Sequence, residues 1–121
     1  MAPEAKHIVV AVTGASGAAY ARSLIGHLTG SEANVHTHLI VSPHGKMLLA
    51  DELGIRRITP ETLAVNAPQR LTVHSYQDVG CELASGSFPV DGMVICPCSS
   101  NTLGAIAAGL GDNLITRAAH V

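Results

Sequence analysis

With 121 residues, 47% of them hydrophobic and 13% charged, the chain can bury the core of one modest domain, residues 1–121, and does not read as disordered. A formal net charge of −2 without any cluster of Lys or Arg argues against nucleic acid as the main partner, so a bound anion has to be held by local dipoles. No apolar stretch approaches the ~18 residues of a membrane span and no basic-then-apolar signal pattern opens the chain, so the expectation is a cytoplasmic protein without a membrane partner.

In chain order, His7 to Val12 is a continuous apolar run of strand length, the pattern of a strand buried on both faces. It gives way to Thr13-Gly14-Ala15-Ser16-Gly17, and Ala18 to Leu28 then reads as a helix. Asn34 to Val41 is a second strand, alternating at first and apolar at its end. Pro43 suits the first turn of a helix that runs to about Glu52. Residues 54 to 80 carry the weakest pattern, with a short strand predicted at Leu71 to Ser75. Gly92 to Cys96 is a third buried strand; it meets Pro97-Cys98-Ser99-Ser100-Asn101-Thr102 and then an alanine-rich helix from Leu103 to Leu110. A last helical run starts near Asp112 or Asn113 and continues to Val121. Strands alternating with helices predict an α/β fold: a three-layer, Rossmann-like (flavodoxin-like) parallel sheet with helices on both faces.

Aromatic residues are only 2% of the chain, so the core has to be built from Val, Ile, Leu and Ala. The cysteines number three, an odd count, and Cys96-Pro97-Cys98 is too closely spaced for a zinc knuckle, so they read as reduced thiols. With the histidines scattered, no metal is assigned. His36, His38 and His74 read as strand and surface residues.

The turn after the first strand is neither GxGxxG nor a P-loop, because its glycines have the wrong spacing and no Gly-Lys-Ser/Thr follows. Gly14 and Gly17 can take positive φ, and Thr13 and Ser16 can donate hydroxyl hydrogen bonds at the positive end of the next helix. Alone, this turn serves equally well as a capped helix start and as an anion site. Two further strand ends carry hydroxyls, at Ser42 and at Ser99-Ser100. In a parallel sheet all three strand ends lie on one edge, where ligands bind, and their convergence favours a ligand site.

The stretches VTGASGAAYARSL (12–24), VSPHGKMLLADE (41–52), LASGSF (83–88) and MVICPCSSNTLGAIAAGLGDNLITRAAHV (93–121) together resemble the UbiX-type flavin prenyltransferases. These are a branch of the flavoproteins that also includes cysteine decarboxylases. The resemblance implies an FMN enzyme that uses dimethylallyl phosphate to alkylate reduced flavin without a metal. It also implies a UbiD-type decarboxylase as recipient of the prenylated cofactor, and a homo-oligomer. Carried over residue by residue, Gly14, Ala15 and Ser16 fall on the first FMN contact, Ser42 on the second, and Cys98, Ser99, Ser100 and Asn101 on the third. Ser16, Glu52 and Arg117 fall on reacting-centre positions, with Arg117 toward the substrate phosphate. Cys98 reads as a small residue beside the flavin.

The family continues past Val121 with further phosphate-binding residues. The expectation is therefore a chain lacking the family's C-terminal portion, which binds flavin more readily than it catalyses. Two rivals remain open. A phosphopantothenoylcysteine-type decarboxylase shares Asn101 and Thr102, and a non-catalytic FMN-binding subunit needs only the cradle.

Overall fold

A computed structural model of the chain describes residues 5–30 and 34–121. Four strands, β1 (Lys6–Val12), β2 (Val35–Val41), β3 (Leu71–His74) and β4 (Gly92–Ile95), form one sheet in the order β3-β2-β1-β4. Every pairing is parallel. Because successive strands are parallel, each has to be reached by a crossover, and the crossovers supply the helices that cover the sheet. The chain steps outward from β1 to β2 to β3 and then returns to the other side of β1 for β4. The strand order therefore reverses between β1 and β4, and it opens a crevice at their carboxyl ends.

Alternation along the strands sorts the core into two layers. Val10, Val12, Leu39, Val41 and Leu71 face α1 (Ala18–Gly30), α2 (Pro43–Leu53) and α3 (Pro60–Leu63), which contribute Ala18, Ala21, Ile25, Leu49 and Leu63. Val9, Ala11 and Ile40 face the opposite layer, where Leu83 and Phe88 of the segment after β3 meet Leu114 and Ile115 of α5 (Leu114–His120). This is the three-layer parallel architecture that the strand–helix alternation predicts.

Several boundaries differ from the sequence reading, each for a local reason. Residues 54–80 hold α3, started by Thr59, whose hydroxyl accepts from Thr62 N, and β3 ends at His74. The fourth strand ends at Ile95 and is not buried on both faces. It is the sheet edge, and Val94 is 42% exposed although its sequence is as apolar as that of β1. α4 (Ser100–Ala107) starts earlier than Leu103, because Ser99 caps it by accepting from Thr102 N. Asn113 begins α5 through a reciprocal capping box with Thr116. No helix among the described residues is long and apolar enough to cross a membrane.

The first turn of α2 lies directly on the end of β1. A Cβ added at Gly45 would collide with the Val12 carbonyl, and one at Gly14 would stand 2.5 Å from His44 Cβ. Neither glycine is needed for its dihedral angles; of the first turn's pair only Gly17 has positive φ, at 125°. They are needed because two backbones approach too closely for a side chain. Gly45→Ala should lower stability by ~1–3 kcal/mol, as overpacking of a rigid contact does, read as a lower urea midpoint with unchanged slope.

Candidate active site: a hydroxyl-lined cleft at the sheet's switch point

The turns after β1 and β4 are joined by one buried hydroxyl. Thr13, 1% exposed, donates from Oγ1 to the Pro97 carbonyl at 2.8 Å and accepts from Ser99 N at 2.7 Å. Its own N–H also reaches the Pro97 carbonyl, at 3.1 Å. Of the two uses that the sequence left open for this turn, the Thr13 hydroxyl therefore takes the structural one. A side chain with one donor and two acceptor positions spends itself on the partner turn, whose Cys96–Pro97 peptide is cis. Ser99, fixed by this contact, caps α4 and also donates to Thr102 Oγ1 at 3.0 Å.

The third turn is tied to the first in a similar way. Ser42 N donates to the Val12 carbonyl at 3.0 Å, while Ser42 Oγ accepts from Gly45 N at 3.0 Å and caps α2. Between these turns lies a cleft of about 420 Å³, lined by Gly14, Ser42, Ser99, Ser100, Asn101 and Thr102, with Pro43, His44 and Tyr76. A larger apolar groove of about 610 Å³ runs beside edge strand β4, past Phe88, Met93 and Ile95; it lacks this convergence of polar groups. The cleft thus gathers Gly14, Ser42, Ser99, Ser100 and Asn101 from the expected set. Ala15, Ser16 and Cys98 stand in the same turns without lining it, and Cys98 is exposed.

Ser16 and Glu52 meet at the start of α1. Glu52 Oε1 accepts from Ala18 N at 2.9 Å and Gly17 N at 3.2 Å, and Oε2 accepts from Ser16 Oγ at 3.3 Å. The amides of Ala18 and Gly17, then the Ser16 hydroxyl, hold the Glu52 carboxyl below the usual carboxylate range. Glu52 is therefore an acceptor at neutral pH, which narrows the acid-or-base role open from sequence. Arg117 lies outside the cleft. It is exposed on α5, with Nε donating to the Gly111 carbonyl at 2.6 Å.

Sequence reasoning missed His44 and Tyr76. Tyr76 sits two residues past the end of β3 on the ligand edge, so a firm assignment of that weak strand would have found it. Burial, then the nearby Asp112 carboxylate, raises the Tyr76 phenol above its ordinary value. Among the described residues no group of three or more His, Cys, Asp or Glu is placed to hold a metal ion.

The pattern of the family described as Flavoprotein matches residues 2–121. The chain belongs to the flavoprotein family. This flavoprotein is 40% identical over 114 residues to a protein of Bacillus subtilis (strain 168) named "Probable UbiX-like flavin prenyltransferase", covering 94% of this chain and 52% of that one. It spans about half the length of the curated relatives it matches. Among solved structures, "AnUbiX (PadA1) in complex with FMN and dimethylallyl pyrophosphate" superposes with a TM-score of 0.84 at 36% identity, over 97% of this chain and 58% of the other. A "dodecameric FMN-dependent Ubix-like Decarboxylase from Escherichia coli O157:H7" gives 0.82 at 35% identity, over 94% and 58%.

Two outcomes follow from this geometry. Thr13→Val keeps the shape but strands the Ser99 amide, and should cost ~1–3 kcal/mol in urea unfolding, with Thr13→Ser recovering most of it. Glu52→Gln should lower stability at neutral pH. A carboxyl depressed in the folded state stabilises above its ordinary value of 4.5 and loses that contribution as pH falls through the folded value. The unfolding curves of Glu52→Gln and the parent chain should therefore converge in acid.

Proposed function

We propose that this chain carries the FMN cradle of a flavin prenyltransferase, which transfers a dimethylallyl group from dimethylallyl phosphate to reduced FMN. The observation that carries the reading is the meeting of hydroxyl-bearing turns in one cleft, beside a serine hydrogen-bonded to an ionised carboxylate. The solved neighbour that holds FMN and dimethylallyl pyrophosphate supports it. The donor set fits a flavin mononucleotide. With Lys and Arg absent from the cleft lining among the described residues, hydroxyls and the start of the eight-residue α4, where Ser100 and Asn101 line the cleft, are the means of holding a phosphate.

We assign FMN contacts to Gly14, Ala15, Ser16, Ser42, Cys98, Ser99, Ser100 and Asn101. The Gly17 and Ala18 amides already serve Glu52, so the anionic end is given to Ser42 and the Ser99–Asn101 turn. When bound and reduced, FMN supplies the electron-rich ring that is alkylated. Ser16 directs its proton to Glu52 and so presents oxygen lone pairs to a ligand. Were a ligand held at this oxygen, Ser16 could take up a proton there while its own passed to Glu52, an acid–base relay through one hydroxyl. To serve the leaving phosphate, Arg117 has to release the Gly111 carbonyl. The prenylated product is suited to a UbiD-type decarboxylase. The dodecameric neighbour supports a homo-oligomer, for which α4, without a buried residue and with Leu103 62% exposed, offers a contact face.

Flavin titration tests the cradle. FMN should bind, and Ser16→Ala should weaken it by ~1–3 kcal/mol, roughly tenfold or more in dissociation constant; an unchanged constant would count against the site. Anaerobic incubation of reduced FMN and dimethylallyl phosphate with the protein, followed by mass analysis, tests the transfer. Flavin without the added dimethylallyl mass would refute the activity while leaving the cradle standing.

A further inference from the structure

Outside the cleft, one face of the sheet carries a cluster of imidazoles that the proposed chemistry does not use. The strand registers Val9↔His38 and Ile40↔His74 bring His7 of β1, His36 and His38 of β2, and His74 of β3 onto the face covered by Leu83 and Phe88. His38, 4% exposed, is engaged on both ring nitrogens: Nε2 lies 2.9 Å from His7 Nδ1, and Nδ1 lies 2.9 Å from His74 Nε2. His36 Nε2 lies 2.6 Å from Thr72 Oγ1. Phe88 closes the cluster edge-on, with its centroid 4.9 Å from His7 and 5.5 Å from His38.

Proton counting sets the behaviour of such a chain. A neutral imidazole has one donor and one acceptor nitrogen, so three rings in line satisfy both contacts in either direction. One added proton is accommodated on any one of the three rings, since a neutral His38 can accept from a charged end ring and donate to the other. A second forces N–H against N–H, between like charges that burial screens poorly. The facing groups offer little relief. From β1 comes His7, from β2 His36, from β3 Thr72 and His74. From the covering segment Asp78 and Glu82 act on His74, at one end, while Phe88 carries no charge. Asp91 is engaged elsewhere, accepting from His7 N at 2.8 Å and pairing with Lys6 at 3.9 Å.

The free end of the chain leads to the cleft. His74 ends β3, and two residues later Tyr76 lines the cleft and accepts from Leu114 N, at the start of α5, at 2.9 Å. We propose that the His7–His38–His74 chain is an acid-labile latch that holds the 76–91 segment and α5 against the sheet at neutral pH, and releases them, with the Tyr76 wall of the cleft, when it takes up more than one proton. Only the cleft's ligand rests on the flavin reading; the latch does not.

The direction of titration agrees. Burial, then the neighbouring imidazoles, pushes His38 from the ordinary 6.5 down to about 4, and burial also lowers His36 and His74. The folded state binds these protons less readily than the unfolded chain does. The contribution is therefore whole above 6.5 and is lost as pH falls from 6.5 toward about 4.

Amide hydrogen exchange of the flavin-free chain, corrected for intrinsic rates, tests this without any ligand. Between about pH 7.5 and about pH 4.5, residues 76–91 and α5 should lose about tenfold or more of their protection while α1 keeps its own. His38→Phe retains a ring but cannot titrate, and should flatten that pH dependence. Unchanged protection of 76–91 in the parent chain, or the same pH profile in His38→Phe, overturns the latch. If His38→Phe does not fold, histidine ring NMR of the parent chain decides: at most one of His7, His38 and His74 protonated near pH 6 supports the latch, and independent titration of all of them near 6.5 overturns it.

Discussion

The hydroxyl of Thr13 is the contact on which the rest of the cleft depends. It is buried where the strand order reverses, and it binds the Pro97 carbonyl and the Ser99 amide at once. The β1–β4 ladder fixes only the strands; this contact fixes the turns that leave them. Without it the Thr13 and Cys96 amides would still hold the turn to β1, but the Ser99 amide at the start of α4 would lose its partner. Because the Ser99 amide is held by Thr13 and the Ser99 hydroxyl accepts from Thr102 N, Ser100 and Asn101 are presented to the cleft on a rigid mount.

The α1 end of the crevice follows a different rule. The positive end of a helix attracts an anion, and here the protein supplies its own, Glu52, from the far end of α2. That choice has two consequences. It ties α1 to α2 through charge-assisted hydrogen bonds at a fully exposed site, where solvent screening keeps the energy small and the value lies in orientation. It also removes the Gly17 and Ala18 amides from the reach of a phosphate. The two hydroxyl-bearing turns therefore take different parts: the one after β1 holds a serine–carboxylate pair, and the one after β4 lines the cleft with Ser99, Ser100 and Asn101.

β1, β2, the starts of α2 and α5 and the ligand edge were legible because each has a local cause, whereas the start of α4 was read three residues late and α3 not at all. Ser42-Pro43, Ser99 and Asn113 all cap helices through contacts within three residues. The gathering of Gly14, Ser42 and Ser99–Asn101 was legible too, since parallel strands put their carboxyl ends on one side. What could not be read was pairing at long range. Thr13 and Ser16 sit three residues apart in one polar turn, yet one is sealed against Pro97 and the other is exposed on Glu52, and only tertiary structure separates them. β4 reads as buried as β1, because an apolar run does not say which strand lies at the edge. His36, His38 and His74 looked scattered for the same reason: residues 36 positions apart become neighbours only through the β2–β3 register.

That register explains why a chain so poor in aromatic residues can hold a polar cluster inside a sheet. Aliphatic side chains fill the carboxyl half of the α5 face, through Ala11, Ile40 and Ile95, and leave the amino half to larger planar rings. Imidazoles fill that space as an aromatic residue would, stacking at 5.1 Å between His38 and His74, and both ring nitrogens of the buried His38 are met by neighbouring imidazoles. Leu or Phe at these positions would pack as well and be insensitive to acid. Histidine makes the packing of β3, and therefore the placing of Tyr76, depend on protonation. The aliphatic layer against α1 contains no such group, and on that side the acid-sensitive contact is the exposed Glu52 carboxylate at the start of α1. The hydroxyl contacts of Thr13 and Ser42 do not titrate, so the β1, β2 and β4 side of the cleft stays in place while the Tyr76 side responds.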